Sequence, residues 1–125
     1  MTEKNTCACG PAPKLIFTCS GSSDVGAIAD QAARKLTKDG AGKMYCLAGI
    51  GARVSGIMAT TASAAKILAI DGCPVNCARK TLELAGFKQI EHLSLSDIGL
   101  EKGRSPVTSE NVAKVSQKAA PLLRC

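Results

Sequence analysis

The sequence predicts an α/β fold: a three-layer, flavodoxin- or Rossmann-like parallel sheet of about four strands, in the order 2-1-3-4, with helices on both faces. Three observations carry this. Four short apolar runs each lead into a stretch of helical periodicity, so strand and helix alternate. Every connection is far longer than a hairpin, which makes the strands parallel and the crossovers right-handed. The chain has 125 residues, 46% of them hydrophobic, enough for one such domain with its own core.

Residues 1–13 are polar, contain Pro11 and Pro13, and read as a flexible N-terminal tail, leaving 14–125 as a single domain. The run 15–19 (Leu-Ile-Phe-Thr-Cys) is a buried strand ended by Ser20-Gly21-Ser22-Ser23. Val25, Ile28, Ala29, Ala32, Ala33 and Leu36 then recur at helical spacing, with Ser23 or Asp24 as cap and Gly40 past the end. A second strand is expected over 43–47. Small residues fill 51–64, read as a helix able to lie close to a sheet. Residues 66–70 form a third strand, ended by Asp71-Gly72. Pro74 suits the first position of a helix that Gly86 stops. Residues 89–95 alternate as a fourth strand, 96–107 are irregular, and Thr108 or Ser109 caps a last helix that ends before Pro121.

Composition narrows the function. No run approaches the roughly 18 apolar residues of a membrane span, and the first residues lack the apolar stretch of a signal peptide, so a cytoplasmic protein is expected. The net charge is +6, but the basic residues are dispersed along the chain. With no Trp and only three Phe and Tyr, a stacking surface for nucleic acid is not expected.

The seven cysteines stand out: Cys7, Cys9, Cys19, Cys46, Cys73, Cys77 and Cys125. An odd number without an export signal argues for reduced thiols with a metal or redox role over a disulfide framework. Cys19, Cys46 and Cys73 each fall at or just past the carboxyl end of a strand, where the ends of an open parallel sheet share one rim. In the order 2-1-3-4 those ends are neighbours, about 4.8 Å apart. Cys77, four residues after Cys73, is expected on the same face of the first helical turn. Four convergent thiolates suit a tetrahedral zinc, with sulfurs about 2.3 Å from the metal. The expected partner is therefore a metal ion, and zinc the expected cofactor. Cys7 and Cys9 read as a weaker pair on the tail, Cys125 as a free thiol, and His92 as a structural strand residue. Asp71 reads first as a turn residue and second as a group supporting the metal ligands, and Lys102 as a solvated lysine before a cation offsetting the charge of a zinc tetrathiolate.

Four blocks also carry a resemblance. They are Cys19-Ser20-Gly21-Ser22-Ser23-Asp24-Val25-Gly26, Cys46-Leu47-Ala48-Gly49-Ile50-Gly51, Asp71-Gly72-Cys73-Pro74-Val75-Asn76-Cys77-Ala78 and Asp97-Ile98-Gly99-Leu100-Glu101-Lys102. Together they resemble the DGC-domain family, named for the motif at Asp71 to Cys73. The resemblance covers about residues 14–105. It implies a zinc-binding protein with Cys19, Cys46, Cys73 and Cys77 as ligands, and carries no catalytic activity with it.

The competing expectation is a thiol-based enzyme, redox, reductase or phosphatase-like, using Cys73 at a strand-loop-helix. Cys73 and Arg79 have the CxxxxxR spacing of cysteine phosphatases. Against it, the loop lacks a glycine, Pro74 removes an amide donor, and Lys80 stands where a hydroxyl belongs. The loop Thr18 to Ser23 resembles a flavodoxin phosphate loop, yet no aromatics are placed to sandwich a flavin. Gly49-Ile50-Gly51 fails the dinucleotide pattern at Val54. No general base is partnered, so the residues lean away from catalysis.

Overall fold

The structure, a computed structural model, describes residues 11–125. Its elements in chain order are β1 (Lys14–Thr18), α1 (Asp24–Lys38), β2 (Lys43–Met44), α2 (Leu47–Gly51), α3 (Ser55–Ala62), β3 (Lys66–Asp71), α4 (Cys77–Leu84), β4 (Glu91–Ser94) and α5 (Ser109–Ala119). Single 3-10 turns follow β4 and α5. The four strands are all parallel, as the long crossovers predict, and ordered β2-β1-β3-β4, the order favoured from the sequence.

The period-two alternation of the strands sorts the core into two clusters. Ile16, Leu68 and Ile70 face α1 and α5, packing on Val25, Ile28 and Val115. Leu15, Phe17, Ile67 and Ala69 face the other way, onto Ile50, Ala78 and Leu82 of α2 and α4. The two central strands are buried on both sides, as a doubly covered parallel sheet requires. The three-layer arrangement follows directly.

Helix α1 runs as its spacing predicts. Ser23 caps it, its Oγ accepting from the Gly26 amide at 3.1 Å, and Gly40 beyond its end takes φ +82°. The start of α1 lies close against the end of β3. A Cβ on Gly72 would come within 2.8 Å of the Val25 carbonyl carbon and 2.9 Å of the Gly26 nitrogen.

Three expected elements differ. The strand 43–47 stops after Met44, because Cys46 already caps α2. The helix expected over 51–64 is the shorter α3, preceded by the separate helix α2 ending at Gly51, with the break between them where Arg53 takes φ +59°. The break is held by the Arg53 guanidinium, which donates to Ile50 O at 2.7 Å and to Leu84 O at 3.2 Å. Pro74 does not open α4. Cys73 to Asn76 form a turn closed by the Asn76 amide on Cys73 O, 3.2 Å, and the helix begins at Cys77. Of the expected tail 1–13, residues 1–10 lie outside the described residues, and Pro13 O accepts from the Ala65 amide at 2.8 Å.

Candidate functional site at the carboxyl rim of the sheet

Four parallel strands point their carboxyl ends at one rim, and all four candidate thiols lie along it, reduced. Cys19 follows β1. Its amide donates to Ile70 O at 3.3 Å, and its half-buried Sγ accepts from the Gly72 amide at 3.4 Å. That bond sets the first thiol against the residue preceding Cys73. Cys46 follows β2, is exposed, and caps α2 through Sγ, which accepts from the Gly49 amide at 3.3 Å. Tyr45 just before it donates its amide to Ile16 O at 2.8 Å, so the two strands stay paired as far as Tyr45. Cys19 and Cys46 together line a cavity of about 710 Å3.

Cys73 and Cys77 are arranged differently. Cys73 is half-buried and packs against the α1–α5 core cluster. Cys77 is exposed as the first residue of α4. The expectation that both share one face of a first helical turn is corrected: the turn at Pro74 separates them. That turn carries two marks of local strain. Asn76 sits in the left-handed region at φ +59°, and its buried Oδ1 has no partner.

The four thiols share the rim through the backbone, whereas among the described residues no three His, Cys, Asp or Glu side chains stand together as a metal-binding group. The donor set itself fits a thiophilic ion: four reduced sulfurs are the ligands such an ion selects.

Asp71 is the residue whose weight the sequence understates. Its side chain is fully buried. Oδ1 accepts from the Ala78 amide at 2.8 Å, and Oδ2 from the Arg79 amide at 3.2 Å and from His92 Nε2 at 2.9 Å. One carboxylate thus caps α4, fixes it to the end of β3 and ties in β4. Its neighbour along the motif, Gly72, is there because α1 leaves no room for a Cβ. The Asp-Gly pair therefore positions the loop that carries Cys73 and Cys77.

A half-buried carboxylate, Asp24, anchors the segment after β4. It accepts from the amides of Gly103 at 3.0 Å and Ser105 at 3.1 Å, and from Val25 at 2.8 Å. The Gly103 amide first, then Ser105, hold its carboxyl below the ordinary value of 3.8.

Other candidates sit apart from the thiols. Arg79 is exposed and donates through Nε to Glu83 at 3.3 Å, leaving it turned along α4. Lys102 is exposed. Cys125 is disulfide-bonded, which corrects the expected free thiol, and Cys7 and Cys9 lie outside the described residues.

A family profile described as the DGC domain matches residues 15–119. The anaerobic and virulence modulator AnvM of Pseudomonas aeruginosa is 37% identical over 88 residues, which cover 70% of this chain and 67% of AnvM. No solved structure matches.

Proposed function

Because the chain belongs to the DGC-domain family, whose naming triplet stands here as a buried capping carboxylate, a glycine at a close helix approach and a rim cysteine, we propose that it is a thiol-based zinc-binding protein. Its ligands are Cys19, Cys46, Cys73 and Cys77. The observation that carries this is the position of Cys19: its sulfur touches the Gly72 amide beside Cys73 and shares a cavity wall with Cys46. The strained turn at Asn76 adds to it, since a segment with an unpaired buried carbonyl loses least by rearranging.

Four thiolates around zinc leave no open position for a water or substrate, so the ion serves sensing, transfer or structure and not hydrolysis. The chain's own contribution is to hold three strand ends and a helix start at one edge. The cytoplasm, where thiols stay reduced, is the fitting compartment. The phosphatase form of the alternative needs the Arg79 guanidinium inside the Cys73 loop, and it is bonded to Glu83 instead. Titrating reduced, metal-free protein with zinc against a chromogenic chelator tests the reading. About one zinc per chain is expected, with each of the four Cys→Ser variants weakening binding by at least about tenfold, the equivalent of one lost ligand bond of modest strength. Absence of competitive binding by wild type, or a Cys19→Ser variant that binds as wild type does, overturns it.

A further inference from the structure

We infer that the cavity over the ends of β1 and β2 receives small disulfides that carry a carboxylate, such as amino-acid disulfides, and that Cys46 and Cys19 exchange with them. The cavity is open to solvent and holds about 710 Å3, room for a small ligand. Three features of its wall specify the ligand.

Two cysteines line the same space from adjacent strand ends, one exposed and one half-buried. Arg34 lies on the same wall and spends only Nε on Asp30, at 2.8 Å; its two terminal nitrogens have no partner among the described residues. The Asp30 bond, followed by its charge, raises the pKa of a guanidinium that is cationic in any case. A free guanidinium edge takes a carboxylate. Finally, Ser20 Oγ donates to Asp30 Oδ1 at 3.4 Å, which ties the charged wall to the residue next to Cys19. Thiols read the sulfur of the ligand and Arg34 reads its carboxylate.

Exposure assigns the order of events. The Cys46 thiolate attacks one sulfur of the ligand disulfide, the ligand S–S bond breaks, and a mixed disulfide forms as one ligand thiolate leaves. The Cys19 thiolate then attacks the Cys46 sulfur, forming the Cys19–Cys46 disulfide and releasing the second ligand thiolate. The two protein thiols are oxidised, the ligand disulfide is reduced to two thiols, and the two protons lost by the protein end on them. The exchange is stoichiometric and uses metal-free protein, so it stands independently of zinc binding, although both use Cys19 and Cys46.

The test follows reduced, metal-free full-length protein by intact mass and peptide mapping, with L-cystine and with the neutral bis(2-hydroxyethyl) disulfide. A short unstructured cysteine peptide supplies the intrinsic rate ratio of the two reagents. The expected result is a preference for cystine about threefold above that of the peptide, as one solvent-exposed charge pair gives. The first adduct is on Cys46 and the product is the Cys19–Cys46 disulfide. Arg34→Ala removes the preference and leaves the neutral reagent's rate unchanged, Arg104→Ala leaves both rates unchanged, and Cys19→Ser halts at the mixed disulfide. The inference is overturned by a preference no greater than the peptide's, by a first adduct on Cys73 or Cys77, or by Arg104→Ala acting as strongly as Arg34→Ala. None of those outcomes changes the zinc titration, so failure here and failure of the zinc reading are distinguishable.

Discussion

Asp71 ends β3 inside the protein, where a carboxylate is stable only if its lone pairs are met, and here two amides and a ring nitrogen meet them. Removing the carboxylate leaves the N-terminal amides of α4 and His92 Nε2 without an acceptor. Asp71→Ala is therefore expected to cost about 3 kcal/mol in urea unfolding. His92→Ala, which leaves both amide bonds in place, is expected to cost only about 1 kcal/mol. Equal costs would show that the two amides contribute nothing and would remove Asp71 from its capping role. Gly72→Ala puts a methyl against the backbone of Val25 and Gly26, atoms that cannot swing away, and about 1–3 kcal/mol is expected. At this scale the sequence was legible for the glycine-bearing turn and for the thiols. It placed His92 in a strand as a structural residue but not against Asp71, because a pair separated by 21 positions leaves no spacing signal.

At the scale of elements, helices with a cap and a period were readable, and those without were not. Ser23 and Thr108 each cap their helix as their residue type suggests. The region 47–62 has small residues on every side, so no stripe marks where one helix stops and the next starts. The break was settled instead by Arg53 reaching three carbonyls, two of them in α2 and one in α4. Pro74 misled for a related reason: a proline that fits a first helical turn fits the turn before it equally well. The segment 101–105 has no regular structure, yet Asp24 fastens it to the start of α1. With its folded pKa below its unfolded one, Asp24 supports that anchor fully above about pH 4 and loses it as pH falls through the depressed folded value. Amide exchange at Gly103 and Ser105 is expected to gain protection loss on acidification, relative to Asp24→Asn, in which the pH dependence disappears. A dependence that survives in Asp24→Asn would assign it to another carboxylate.

At the scale of the molecule, strand order was legible because alternation of strand and helix, parallel pairing and right-handed crossovers leave few arrangements. The rim position of Cys19, Cys46 and Cys73 came with it, since each follows a strand end. The side-chain directions did not, because they depend on a turn, at Cys73 to Asn76, and on a packing choice that places Cys73 against the α1–α5 cluster. That division bears on how zinc and folding are coupled. Small zinc domains unfold without metal because they have little else to bury. Here both faces of the sheet are covered, and residues such as Phe17, Ile28, Leu68 and Leu82 are fully buried without any thiol contact being needed. Chelation of the zinc-loaded protein is accordingly expected to leave the far-UV dichroism unchanged and unfolding cooperative. The midpoint should fall only by the mass-action contribution of the ion, about 2.7 kcal/mol at a free zinc concentration 100 times the Kd. Loss of the helical signal on chelation would mean that the ion is part of the core, and the rim would then be a structural knot in place of a site that exchanges its metal.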